Sequence, residues 1–421
     1  MGWKYMMMKK NKNRDNYMKV LLEFKDKNAV KIITGVRRCG KSTLLDLFIE
    51  RLLEDGIKEE NIIKMNFESI EHDDIKEYKA LYKSIQSKIS NNDKTYLIFD
   101  EIQMVKHWEK AVNSFLVDFN VDIYITGSNA YLLSSELSTL LSGRYVEVKM
   151  LPLSFKEYLD FNIFETNMTM DEKFQLFVKN GAMPVISEYE HNRERIIDVL
   201  EGIYSTVILK DVVARNKLTD ALLLKKVVMF LADNIGNITS SNNIGNVLGN
   251  EGDIENTKRN PASRTIDNYI KYLENAYIFY GVRRYDVKGK QYLKTLGKHY
   301  IVDTGIRNML LGYKEMDRGH VLENIVYFEL IRRGYEVYIG KIGENEIDFI
   351  AVSASDKKYI QVTETMLGEE TRVREITPLR DIDDNYEKII LTSDRIFTGM
   401  TEEGIKIVNV IDYLIEEDYK N

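Results

Sequence analysis

The sequence predicts an α/β fold built on a parallel sheet, and three stretches carry that prediction. Residues 30–53 read as an apolar strand, a glycine turn and an amphipathic helix in succession. Thr95-Tyr-Leu-Ile-Phe-Asp100-Glu101 is an unbroken apolar run that stops at two carboxylates, the pattern of a strand buried on both faces. Asp122-Ile-Tyr-Ile-Thr-Gly-Ser-Asn129 repeats the pattern and stops at small polar residues. In open α/β sheets the chemistry gathers at the carboxyl ends of the strands, so the three ends mark one functional edge.

The 421 residues suffice for two or three domains. A net charge of −7 excludes a global basic field, so nucleic-acid binding would need a local patch. One cysteine, Cys39, excludes an internal disulfide and a cysteine zinc site, and fits a reducing cytoplasm. There is no apolar run long enough to span a bilayer, and Met1–Lys10 has too short an apolar stretch for a signal peptide. The expectation is a cytoplasmic protein with no membrane partner.

In chain order, Asp15–Phe24 reads as a helix, and Val30, Ile32 and Ile33 as the first strand. The turn Gly35-Val36-Arg37-Arg38-Cys39-Gly40-Lys41-Ser42-Thr43 has the spacing G-x-x-x-x-G-K-[ST], with a helix after it. Such a loop points backbone N–H groups at phosphate oxygens, and the helix N-terminus adds positive potential. Lys41 then reaches the β- and γ-phosphates of ATP, and the Ser42 hydroxyl ligates Mg²⁺. Residues 62–67 read as a second strand and 73–90 as a helix. At the end of the third strand Asp100 is the Mg²⁺ carboxylate and Glu101 the group that polarises the attacking water. A helix over 107–119 and the fourth strand follow. Ser128 or Asn129 could touch the γ-phosphate, and a turn cap accounts for either equally well. Arg144, before a fifth strand at 145–150, reads as an arginine finger or as a strand-start salt bridge.

Gly35–Ser42, Leu97-Ile-Phe-Asp-Glu101-Ile-Gln103, Ile125-Thr-Gly-Ser-Asn129 and Ser142-Gly-Arg-Tyr145 resemble the motifs of an AAA-type P-loop ATPase. With Leu151-Pro-Leu-Ser-Phe-Lys-Glu-Tyr158 and Gly181-Ala-Met-Pro184, the chain is similar to a prokaryotic group that joins such a module to a C-terminal domain of unknown function. Ala182 departs from that group's Gly-Gly-x-Pro turn. The resemblance implies a sheet order of 5-1-4-3-2 and a helical lid over the nucleotide. The expected division is an ATPase core at 15–150, a lid at 151–219, a winged-helix-like part at 220–298 and a nuclease-like α/β domain at 299–421.

Helices are expected at 155–161, 171–180 and 193–215, the last carrying Arg215 as a lid-arginine candidate. From 221 to 293 the order helix, helix, helix, two-stranded hairpin is the layout of a winged helix, with a polar loop at 249–261. Between Lys258 and Lys298 stand ten Lys/Arg against three acids, Asp267, Glu274 and Asp286. Arg264, Lys271, Arg283, Arg284, Lys288 and Lys290 are the candidate contacts to double-stranded DNA, with a solvated or protein-docking face as the alternative.

After 298, a helix with Glu323, a strand with Asp348 and a strand with Gln361-x-Thr363 resemble the PD-(D/E)xK nuclease core. That core holds a metal on its acids and needs a lysine where Thr363 stands. Without the lysine the developing charge has no stabiliser, which predicts a domain that has lost cleavage. Lys357 or Lys358, expected in a turn, are the available substitutes. Taken together the sequence predicts an Mg-dependent ATPase acting on DNA. The alternatives are an ATP-gated nuclease and a slow nucleotide switch that binds proteins, with the oligomeric state open.

Overall fold

The computed structural model describes residues 12, 14–89, 93–130, 141, 143–250, 261–289, 291–314 and 317–416, without the side chains of 291–295. Two compact units emerge, one up to Pro152 together with Asn275–Tyr277 and one comprising the rest.

In the first unit the elements are α1 (Asp15–Glu23), β1 (Val30–Thr34), α2 (Lys41–Glu54), β2 (Ile62–Asn66), α3 (Tyr78–Lys88), β3 (Thr95–Asp100), α4 (Trp108–Asp118), β4 (Val121–Gly127) and β5 (Tyr145–Lys149). All strand pairings are parallel, in the order β2-β3-β4-β1-β5, which is the order that the resemblance implied. β1 and β3 are buried at every position, so a polar residue there needs a partner. Lys31 has one: its ammonium meets Asp122 and lies 4.9 Å from the Tyr124 ring. The helix expected from residue 73 begins at Tyr78. Residues 70–72 instead form a 3₁₀ turn capped by Ser69.

In the second unit α5 (Phe155–Phe161) and α6 (Met170–Asn180) each open on a capping box, Ser154 with Glu157 and Thr169 with Glu172. α7 (Arg193–Thr206) passes into a π-helical stretch at Val207–Ala214, where one uninterrupted α-helix was expected. α8 (Ala221–Asp233), α9 (Ser241–Asn250), α10 (Ser263–Asn275), β6 (Phe279–Asp286) and β7 (Gln291–Ile301) follow in the expected order. Ile266, Tyr269, Ile270 and Leu273 form the buried stripe of α10. Most of the loop expected at 249–261 lies outside the described residues, and Asn250 still belongs to α9.

Next come α11 (Thr304–Leu311), α12 (Arg318–Arg332), β8 (Glu336–Ile342), β9 (Asn345–Val352), β10 (Lys357–Thr363), α13 (Glu369–Arg380), β11 (Glu387–Thr392), β12 (Gly399–Met400), β13 (Lys406–Asn409) and α14 (Val410–Ile415). The sheet order is β12-β13-β11-β10-β9-β8-β6-β7. The expected wing hairpin is thus an edge of this sheet, because β6 pairs in parallel with β8 at Arg284–Asp286. The boundary expected between 298 and 299 falls inside β7.

The turn at Gly181–Pro184 packs on the start of α11. The Asp303 carboxylate accepts from Ala182 N at 2.6 Å and caps α11 through Ile306 N at 2.9 Å. Gly181 has φ +84°, and a Cβ there would stand 2.3 Å from Asp303 Oδ1. Ala182 has an ordinary negative φ, so its methyl replaces a glycine without strain. Among the described residues no helix is long and apolar enough to cross a membrane.

Candidate functional site

Parallel register assembles the site in the first unit. Asn66 pairs with Asp100 across β2–β3, Phe99 with Ile125 across β3–β4, and Thr34 with Gly127 across β1–β4. The ends of four strands therefore face one edge. β4 lies between β1 and β3, which sets the loop and the acid strand roughly 10 Å apart at ordinary strand spacing.

The loop after β1 depends on three residues with positive φ: Gly35 (+142°), Arg38 (+68°) and Gly40 (+103°), the last being the N-cap of α2. A Cβ at Gly35 would sit 2.1 Å from Met150 O, so only glycine fits there. Lys41 is buried, and its ammonium donates to Gly35 O at 2.9 Å and Val36 O at 3.0 Å. Ser42 and Thr43 are exposed on the first turn of α2. Arg37 pairs with Glu68 at 2.9 Å, and Cys39 is buried with Sγ 3.5 Å from Met150 O. Arg14 buttresses the loop by donating to Cys39 O at 3.2 Å, Leu151 O at 2.7 Å and Pro152 O at 3.2 Å. Nothing in the local pattern around Arg14 announced that role.

Asp100 is buried, accepting from Thr126 Oγ1 and, at 3.2 Å, from Asn66 Nδ2. Glu101 adopts φ +55°, a left-handed conformation uncommon for this residue type. Its N–H donates to Thr126 Oγ1 at 3.0 Å, and its Oε2 accepts from Ser128 Oγ at 3.2 Å and from Gln103 Nε2. Thr126, Asn66 and Gln103 escaped the sequence reading as site residues, although each sits at or just beyond a strand end. Asn129 is buried one residue beyond Ser128. A glycine cradle that admits no Cβ, a lysine, a hydroxyl and a carboxylate pair together fit a triphosphate with its metal.

Arg144 stands elsewhere. Tyr145 aligns with Val30, and Val30 N donates to Arg144 O at 3.0 Å. The arginine is therefore at the amino edge of the sheet, five strand residues or roughly 16 Å from the loop of its own chain. That exceeds an arginine side chain, so a finger acting within one chain is ruled out by the register.

In the second unit Arg264, Lys271, Arg283 and Lys288 are exposed, as a nucleic-acid face requires, and Arg284 is half-buried. Lys290 lies outside the described residues. Lys298 does not belong to the basic stripe. It is 3% exposed, and its ammonium lies 2.8 Å from Glu323 Oε1, 2.7 Å from Glu346 Oε1 and 3.6 Å from Asp348 Oδ1. Tyr300 also donates to Glu323 at 2.5 Å. Asp348 N donates to Gln361 Oε1 at 2.7 Å, Gln361 Nε2 to Glu375 at 3.0 Å, and Thr363 lies beyond. These acids line an open cleft of about 620 Å³, with Lys298 behind them. Lys357 and Lys358 are not in a turn: they open β10 and pair with Asp384 and Glu387.

Burial would lower the Lys298 ammonium, but Glu323, Asp348 and Glu346 outweigh it and hold the group above the usual lysine range. Of Glu323 and Asp348, the closer benefits more. Glu323, despite its burial, is held below the usual carboxylate range by Lys298, while burial and then Glu323 push Asp348 up to about 7. Among the described residues no three acids or imidazoles already converge as metal ligands.

Residues 27–159 match the family described as an AAA domain, and residues 171–317 a domain of unknown function, DUF8612. An uncharacterized protein of Haemophilus influenzae is 43% identical over 409 residues, covering 96% of this chain and 98% of that protein. An uncharacterized protein of Methanocaldococcus jannaschii is 32% identical over 431 residues, covering 96% of this chain and 89% of that one. Among solved structures, a Walker-type ATPase of Pyrococcus abyssi aligns over 71% of this chain and 95% of its own, at 16% identity and a TM-score of 0.49.

The buried ammonium generates a prediction. Lys298→Met should destabilise the chain by about 3–5 kcal/mol in urea unfolding, since three carboxylates lose their counter-ion. Asp348, at 3.8 unfolded and about 7 folded, binds its proton more tightly when folded, so its ionisation lowers stability as pH rises through that window. The Lys298→Met deficit should therefore shrink below pH 4 and be largest above pH 7.

Proposed function

The chain belongs to the family of the Haemophilus influenzae and Methanocaldococcus jannaschii proteins, with an AAA domain at residues 27–159, and from that premise we propose that it binds Mg-ATP and hydrolyses it. One observation carries the reading: the glycine loop with Lys41 and the Asp100–Glu101 pair end at the same edge of one parallel sheet. Backbone N–H groups from Val36 to Thr43 cradle the phosphates, and Lys41 leaves the carbonyls of Gly35 and Val36 for the β/γ-phosphate oxygens. Ser42 and Asp100 would hold Mg²⁺, which neutralises phosphate charge when bound. Glu101 takes the proton of the attacking water, and Ser128 or Asn129 contacts the γ-phosphate. Arg144, on the far edge of the sheet, serves the nucleotide of a neighbouring subunit.

The hydrolysis cycle drives a conformational change that acts on duplex DNA through a winged-helix arrangement of α8–α10 and the β6–β7 hairpin. The exposed cations Arg264, Lys271, Arg283 and Lys288 support this, since they are local positive charge on an acidic protein. A second reading, an ATP-gated metal-dependent nuclease, is favoured by one observation. Lys298 supplies beside Glu323 and Asp348 the positive charge that Thr363 lacks.

Three measurements test these assignments. Lys41→Ala should abolish ATP binding in calorimetry, and Glu101→Gln should keep binding while lowering turnover by at least about a hundredfold. Duplex affinity should fall as salt rises, and reversing Arg283 and Lys288 to Glu should weaken it by about tenfold or more at low salt. A salt-independent or absent shift favours a protein partner. Supercoiled plasmid incubated with Mg²⁺ or Mn²⁺ and ATP separates the two readings: cleavage abolished by Asp348→Ala selects the nuclease, and intact plasmid selects the motor.

A further inference from the structure

We propose that Gln103 positions the attacking water for ATP hydrolysis, acting together with Glu101. The inference rests on the ATPase reading of the Asp100–Glu101 edge and adds a residue to it. Glu101 and Gln103 flank Ile102 at the start of a 3₁₀ turn, and the left-handed backbone of Glu101 turns the two side chains toward each other. Carboxylates only accept, so the amide nitrogen of Gln103 must be the atom that faces Glu101. That settles which way the amide points. Its oxygen, Oε1, is buried, and no donor meets it among the described residues.

A buried amide oxygen without a donor is costly, and its natural complement is an O–H. Both donors to the Glu101 carboxylate, Ser128 Oγ and Gln103 Nε2, converge on Oε2. Among the described residues no donor to Oε1 of Glu101 is present, which leaves that oxygen to take a proton. A water beside the pair donates one hydrogen to Glu101 Oε1 and the other to Gln103 Oε1. In the step, the water oxygen bonds to the γ-phosphorus and the bond from that phosphorus to the β–γ bridging oxygen breaks. One water proton passes to Glu101 Oε1, and ADP and phosphate leave. The amide itself transfers no proton. It orients the nucleophile and, through Nε2, holds the carboxylate in place.

Gln103→Leu and Gln103→Met, measured beside wild type and Glu101→Gln, test this. Turnover should fall about a hundredfold in both variants, with the Kd for Mg-ATP unchanged. Binding of ADP with aluminium fluoride, which presents the pentavalent arrangement, should be lost while ADP alone still binds. Wild-type turnover in both variants overturns the role of Gln103 and leaves the ATPase reading standing. Weakened ADP binding, or reduced turnover with ADP–aluminium fluoride still bound, reduces Gln103 to a structural residue and overturns the proposal too. A wild-type chain that binds Mg-ATP in no measurable amount overturns both.

Discussion

Parallel pairing of β1, β3 and β4 is the constraint from which the first unit follows. Each strand is buried on both faces, so a polar group without a partner in the sheet is tolerated only where the strand ends, and parallel register puts those ends on one line. The glycine loop, Asp100, Glu101 and Ser128 meet there for that reason alone. The same register carries Arg144 to the opposite edge. One geometrical fact thus groups the glycine loop with the acid pair and separates Arg144 from them.

The acid end of β3 is held by neighbours on adjacent strands. Thr126 bridges Asp100 and the Glu101 backbone, and Asn66 reaches Asp100 from the other side. Glu101 is kept in a left-handed conformation that a carboxylate residue does not choose unaided. Such strain persists where surrounding hydrogen bonds over-determine it, and Thr126, Ser128 and Gln103 supply them. Arg14 does the corresponding work for the phosphate loop, tying Cys39 to the segment just after β5.

In the second unit Arg283 on β6 and Lys288 just after it are exposed, and β7 runs into the buried acid centre with Lys298. A lysine in a basic stretch is ordinarily solvated. This one is desolvated and stays charged because three carboxylates surround it. Pairing with β8 makes the hairpin an integral part of the sheet that carries Asp348 and Gln361.

The sequence by itself determined what is local: the strand–loop–helix of residues 30–53, the apolar strand that stops at Asp100-Glu101, the helical stripes and the glycine positions. These depend on periodicity and backbone freedom, which neighbours in the chain dictate. It left undecided every relation set by register or by long-range burial. Lys298 looked like surface charge because composition counts residues without their partners, and its acids lie 25, 48 and 50 positions away. Arg144 looked close to the glycine loop because only pairing with Val30 reveals which end of the sheet it occupies. Gln103 looked like part of a motif until the fold of Glu101 beside it left one amide oxygen buried and without a donor among the described residues. Only the tertiary structure decides such things, because electrostatic and hydrogen-bond partners are chosen by distance in space, and that distance is unrelated to separation along the chain.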